Sequence, residues 1–228
     1  MRGYGAARGS RVLVFYLLSL DSFFGFSMII FLNGCSSAGK STIAKALQFL
    51  SDKPLLCLGI DTFLDMMPRH YIGMGKKAAE GIHFIPDQTE QGEPLIHIEC
   101  GAYGKKFMNA VAPVVKALAD QNLDLILDEV LIDEAHLINY ADALKDHTVY
   151  FIGVHCALEI LEEREMLRGD RSLGLARAQI NCVHALTFFY DFEVDTTHTS
   201  SMTCAKNILA FIQGNPNPTS FETLREKS

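Results

Sequence analysis

Positive charge is scarce in this 228-residue sequence, where 20 Lys and Arg stand against 27 Asp and Glu for a net charge of -7. A surface that coats nucleic acid needs clustered Lys and Arg to displace phosphate counterions, so this balance argues against a nucleic-acid partner and for a small molecule. Paired cysteines are missing too. Cys35, Cys57, Cys100, Cys156, Cys182 and Cys204 form no C-x-x-C pair and have no zinc-type spacing to histidines. Most lie in apolar surroundings, which suits reduced core thiols and a cytoplasmic location without disulfides. No heptad or internal repeat is present. The apolar run Val12–Leu20 follows Arg2, Arg8 and Arg11 as in a secretory signal, but Asp21 breaks it. It is too short to span a membrane and no A-x-A site follows, so a membrane partner is not expected. Residues 1–27 read as an extension ahead of a natural start at Met28, with a weak membrane-associated segment as the alternative.

What is present is a phosphate-binding loop. Gly34, Cys35, Ser36, Ser37, Ala38, Gly39, Lys40 and Ser41 spell G-x-x-x-x-G-K-[S/T] between the apolar run Met28–Asn33 and a helical pattern from Ser41 and Thr42 to Leu50. The glycines allow dihedrals that turn successive N–H groups toward one point, and the helix adds the positive end of its dipole. ATP is the expected ligand of residues 34–42. Lys40 suits the β- and γ-phosphates, and the Ser41 hydroxyl suits Mg²⁺. Cys35, at a helix N-terminus, is either an activated thiol or a loop residue that contributes only its N–H.

Alternating strands and helices predict an α/β fold with three layers and a mostly parallel five-stranded sheet. Leu55–Ile60 reads as a strand that delivers Asp61 to the carboxyl edge, where open α/β sheets bind ligands. A short helix at 62–67 follows, for which Asp61 is also a candidate N-cap. Residues 73–94 read as an irregular insertion, while Ile82–Ile85 and Leu95–Glu99 have strand character and could pair as a hairpin. Leu123–Glu129 looks like a Walker-B strand, and Asp128 is the expected second metal residue beside Ser41. A kinase domain over 28–213 and, after the breakers at Gly214–Pro218, a flexible tail over 214–228 complete the expected organisation.

Glu159–Leu167 reads as a helix with a charged face running into Arg168-Gly169-Asp170-Arg171. Arg168 and Arg171 are candidates for a mobile lid that neutralises charge on a transferring phosphoryl group. Lys40 with Mg²⁺ would hold the nucleotide, Arg168 or Arg171 would bridge donor and acceptor, and Asp61 would orient or deprotonate an acceptor hydroxyl. His136, His155, His184 and His198 read as structural, with a place in the lining of the nucleotide site as the alternative for His198.

These blocks, in this order, together with Tyr190-Asp191 and Val194–His198, resemble chloramphenicol phosphotransferase and its relatives from about Met28 to Gln213. The resemblance implies a fold like that of nucleoside-monophosphate kinases and transfer of the γ-phosphate of ATP to an antibiotic hydroxyl, hence antibiotic resistance. It implies Asp61 as the catalytic carboxylate, Arg171 as the lid arginine and Thr196-Thr197-His198 near the base-binding end. A zeta-toxin-like nucleotide-sugar kinase and a non-catalytic ATP-binding regulator remain as alternatives.

Overall fold

In the computed structural model of the chain, residues 27–169, 172–185 and 190–227 are described. They form β1 (Met28–Asn33), α1 (Lys40–Leu50), β2 (Leu56–Gly59), α2 (Ile60–Leu64) and a 3-10 turn at Arg69–Tyr71, followed by β3 (Ile72–Gly73), β4 (Ile82–Gln88) and β5 (Pro94–Cys100). Next come α3 (Ala102–Ala119), β6 (Leu125–Glu129), α4 (Glu134–Ala143), β7 (Thr148–His155), α5 (Leu158–Arg168), α6 (Leu175–Gln179), β8 (Phe192–Asp195), α7 (Ser201–Gly214) and α8 (Ser220–Lys227). The central sheet has five strands in the order β2-β6-β1-β7-β8, all paired in parallel.

Both faces of that sheet are covered at its centre, in keeping with the nearly continuous apolar runs of β1 and β7. Side chains alternate across the pleat. Ile30, Leu32, Ile126, Ile152 and Val154 pack on one side with Ile43 and Leu47 of α1 and with Ala205 and Ile208 of α7. Ile29, Phe31, Leu125, Leu127 and Phe151 pack on the other with Val111 and Val115 of α3 and with Leu137 and Tyr140 of α4. The three-layer α/β architecture expected from the sequence is thus present.

A second sheet, β3-β4-β5, stands apart from the first. Its hairpin pairs Ile82 with Cys100 and Phe84 with Ile98 in antiparallel register, as the hairpin character of these segments predicts, while residues 74–81 and 89–93 of the stretch read as irregular are turns and loop. Helix α2 begins at Ile60 with Gly59 as its N-cap. Asp61 therefore lies inside the first turn and is not the cap.

The tail expected to be loose is docked. The Asp191 carboxylate accepts the N–H groups of Thr219 and Ser220 at 2.9 and 3.0 Å on one oxygen and that of Phe151 at 2.8 Å on the other. Phe221 of α8 is 4% exposed and meets the rings of Phe31 and Phe151 at 5.6 and 5.4 Å. Breakers at 214–218 end α7, but the chain then returns to the core.

Candidate active site

The loop between β1 and α1 turns through the left-handed region at Ser37 (φ 63°) and Gly39 (φ 89°). Gly34 passes so near β7 that a Cβ there would lie 2.4 Å from the Val154 carbonyl oxygen, a space only glycine fits. Remote residues brace the loop from outside. Thr196 donates its hydroxyl to the Ala38 carbonyl at 2.8 Å, and Gln179 Oε1 accepts the Ser36 N–H at 2.7 Å. Lys40, 5% exposed, donates through Nζ to the carbonyls of Gly34 and Cys35 at 2.9 and 3.0 Å. The hydroxyls of Ser36 and Ser37 are buried without a partner among the described residues. Polar atoms left unsatisfied at a helix N-terminus suit a phosphate ligand. Cys35 is buried, and burial pushes its thiol up to about 11, against the opposing pull of Lys40. The loop therefore does not activate that thiol.

Of the six cysteines, Cys35, Cys156 and Cys204 are buried, Cys100 is half-buried, and Cys57 and Cys182 are exposed. The apolar setting read from the sequence holds for about half of them.

Beside the loop, the ends of β1, β2 and β6 lie side by side, with Leu32 and Gly59 each in register with Asp128. A Cβ on Gly59 would come 2.7 Å from the Asp128 carbonyl oxygen, so the glycine permits this approach and α2 starts next to the loop. Ser41 Oγ donates to Asp128 Oδ2 at 2.5 Å, and Lys40 Nζ lies 3.5 Å from Oδ1. Glu129, one residue on, points to the opposite face of the strand, 1% exposed, and accepts the Tyr140 hydroxyl at 2.8 Å. Burial pushes its carboxyl up to about 8, helped by the charges of Asp128 and Asp61 and opposed by Tyr140 and Lys40.

Arg168 ends α5, with Gly169 in the left-handed region as its cap. It is exposed and reaches the cavity wall. Arg171 and Asp170 lie outside the described residues. One turn earlier, two residues read from sequence as part of a charged helix face are turned inward. Arg164 donates to the carbonyl and hydroxyl of Thr196 at 2.8 and 3.1 Å and reaches the Ser37 carbonyl at 3.4 Å. Glu165, 1% exposed, accepts the N–H groups of Gly174 and Ala176 at 3.1 and 2.7 Å. The signal for both was Leu161, fully buried and three and four residues upstream, which marks the inward face of α5.

Loop, Asp61, Asp128, Arg164 and Arg168 all line one cavity of about 960 Å³. Its far wall is apolar, formed by Ile82, Phe84, Ile98 and Cys100 from the β4–β5 hairpin together with Leu64 and Met108. Cross-strand pairing aligns those four hairpin side chains on one face. Lys105, Asn109, Asp133, His136 and Asn139 supply polar groups between α3 and α4. His136, structural by its sequence setting, borders the cavity, and burial holds its ring below the usual histidine range. Among the described residues no helix is long and apolar enough to cross a membrane.

Comparison with known proteins agrees with this geometry. A protein of Mycobacterium tuberculosis named as a candidate O-phosphotransferase is 29% identical over 199 residues, covering 87% of this chain and 88% of the relative. Among solved structures, the APS kinase CysC of M. tuberculosis superposes with a TM-score of 0.55 at 13% identity, over 83% of this chain and 99% of that one. A gluconokinase from Sinorhizobium meliloti gives 0.54 at 14% identity, over 90% and 99%. A tunicamycin resistance protein from Deinococcus radiodurans gives 0.51 at 16% identity, over 82% and 95%. These likenesses show the fold of the phosphate-loop kinases. Residues 27–213 match the family model described as chloramphenicol phosphotransferase-like protein, so the chain belongs to that family and is a phosphotransferase of the kinase type.

Proposed function

We propose that the protein moves the γ-phosphate of ATP, with Mg²⁺, to a hydroxyl of a neutral small molecule with an apolar body, chloramphenicol being the first acceptor to test. The observation that carries this reading is Asp61, which shares a cavity wall with Lys40, Ser41 and Asp128 while an apolar chamber opens beyond it. A switch protein has no use for a carboxylate between a phosphate loop and a second chamber. An acceptor rich in anionic groups would meet a wall of Ile82, Phe84 and Ile98, so an amphipathic alcohol suits it better.

Residues 34–42 would cradle the phosphates through N–H groups other than that of Ser36, which Gln179 holds, using the unpartnered Ser36 and Ser37 hydroxyls as further donors. Lys40 would exchange its bonds to loop carbonyls for the β- and γ-phosphates. Ser41 and Asp128 would hold Mg²⁺ directly or through water, and the ion would neutralise charge on the β- and γ-oxygens. Asp61 would accept the acceptor's hydroxyl proton as that oxygen bonds to the γ-phosphorus, while the bond from phosphorus to the β–γ bridging oxygen breaks and ADP leaves. Arg168 and Arg171 would stabilise the charge spread over the phosphoryl oxygens. The reading also implies a cytoplasmic setting with ATP at hand.

The test is mass spectrometry of chloramphenicol and a panel of neutral alcohols, sugars and nucleotide sugars incubated with protein and MgATP. A gain of one phosphate that disappears with Asp61→Ala is expected. Tight ATP binding with no compound stimulating turnover would sink the kinase reading, and transfer that survives in Asp61→Ala would remove Asp61 as the base.

A further inference from the structure

Helix α6 is one and a half turns long, yet three parts of the site meet on it. At its start, the Gly174 carbonyl accepts the Ile96 N–H of strand β5 at 3.3 Å. The contact is close enough that a Cβ on Gly174 would fall 2.4 Å from the Pro94 carbonyl oxygen, and Gly174 takes a positive φ of 92°. The buried Glu165 of the arginine-bearing α5 holds the same end through Gly174 and Ala176. Midway, Arg177 pairs with Glu162 of α5 at 2.5 Å and with Glu93, beside β5, at 3.7 Å. At its end, Gln179, 5% exposed, accepts the Ser36 N–H across 143 residues of chain.

The Ser36 group is a backbone N–H, so the amide atom facing it must be the oxygen. Gln179 thus occupies one donor of the phosphate loop with a neutral acceptor, and its own side chain borders the cavity. An amide there fixes the peptide at residue 36 without adding negative charge near a phosphate. A hydrocarbon of equal length would leave the Ser36 N–H buried and unsatisfied, which destabilises the loop in that conformation.

We propose that Gln179 is a positioning residue through which α6 couples the phosphate loop to the acceptor sheet, so that nucleotide at residues 34–42 tightens the β4–β5 wall and helix α5 together. The proposal rests on the donor site assigned above and on no particular acceptor. The loop bond and the β5 bond lie at opposite ends of one short helix, and a rigid element with both ends tied is a physical route for coupling. It also explains why a helix of five residues carries a buried amide at one end and a glycine in the left-handed region just ahead of the other.

The test is hydrogen exchange of the full chain with and without MgAMP-PNP, with nucleotide affinity measured by calorimetry. In the wild-type protein, nucleotide is expected to slow exchange at the Ile96 amide by about tenfold, since that group bonds across to α6. Gln179→Met should still bind MgAMP-PNP, with at most about tenfold weaker affinity, but lose the protection of residues 94–100. Gln179→Glu keeps an acceptor for the Ser36 N–H, so at saturating nucleotide it should restore that protection despite weaker binding. A purely structural role would lower melting temperature and affinity in both variants without this separation. Protection that persists in Gln179→Met, or that fails to return in Gln179→Glu, overturns the proposal. So does wild-type binding without protection of residues 94–100. Absence of any MgAMP-PNP binding to the wild type would instead overturn the donor site itself, and the coupling with it.

Discussion

Ser41 gives its hydroxyl hydrogen to Asp128 although 87 residues separate them, because β6 runs parallel beside β1 and both strands end at the same edge. The same carboxylate faces Lys40 at 3.5 Å, so one acid side chain holds both loop residues assigned to phosphate and metal. Asp128→Asn keeps an acceptor for Ser41 and removes the charge. MgATP affinity should fall by about ten- to a hundredfold, as expected for loss of a charged partner, while affinity for ATP in EDTA changes little. Calorimetry with and without Mg²⁺ checks this, and equal losses in both conditions would remove Asp128 from the metal site.

Lys40 directs its ammonium to loop carbonyls and to Asp128 and not to the apolar core. Lys40→Ala should therefore leave the circular dichroism spectrum intact and lower phosphate transfer by about a hundredfold or more, the loss typical when a charge-stabilising donor is deleted. A variant with unchanged turnover would end the assignment of this loop as the donor site.

Glu129 makes stability depend on pH. Its folded carboxyl titrates at about 8, well above the ordinary carboxylate value, because it is buried on the strand face beneath Tyr140. Between those values the unfolded chain has released the proton and the folded chain retains it, so stability is full below the ordinary value and falls as pH rises toward 8. Glu129→Gln keeps the bond from Tyr140 and removes the ionisation. Melting curves should coincide near pH 4.5 and diverge as pH rises, with the variant several degrees higher by about pH 8.5, since each tenfold difference in proton affinity between folded and unfolded chains is worth about 1.4 kcal/mol. A constant offset across the range would show that Glu129 does not titrate as described.

The placement of the loop and of Asp61 beside it was legible because its information is local. Residues 28–50 carry an apolar strand, the loop motif and a helical pattern in unbroken succession, and Asp61 follows from the rule that such sheets bind at their carboxyl edge. Alternation along β6 separates Asp128 from Glu129 as well, since consecutive strand residues face opposite sides. The illegible parts depend on partners that no local period announces. Arg164 and Glu165 look like any charged helix until Thr196 and Gly174 are brought to them. Gln179 gives no local sign of its bond to Ser36. Of the second sheet, the hairpin could be read, but β3 has two residues and no period to recognise.

The C-terminal helix shows the same limit and yields a measurable consequence. Gly214–Pro218 has the composition of a break, and a break is what forms locally, since the N–H groups beyond it find their acceptor at Asp191 rather than in a continuing helix. Asp191 also accepts the Phe151 N–H, so a single carboxylate fastens α8 to β7 and sets Phe221 against Phe31 and Phe151. Phe221→Ala removes a ring from a closed core and should cost about 3–5 kcal/mol, roughly 10 °C in a protein of this size. Asp191→Ala should destabilise comparably, because it leaves three backbone donors without their acceptor. Neither Phe221 nor Asp191 lines the cavity, so at about 20 °C, while the fold persists, MgAMP-PNP affinity should stay within about twofold of the wild type. Thermal melts of the two variants and of a chain ending at residue 214 decide the matter, and an unchanged melting temperature on truncation would mean that the tail is not part of the folded core.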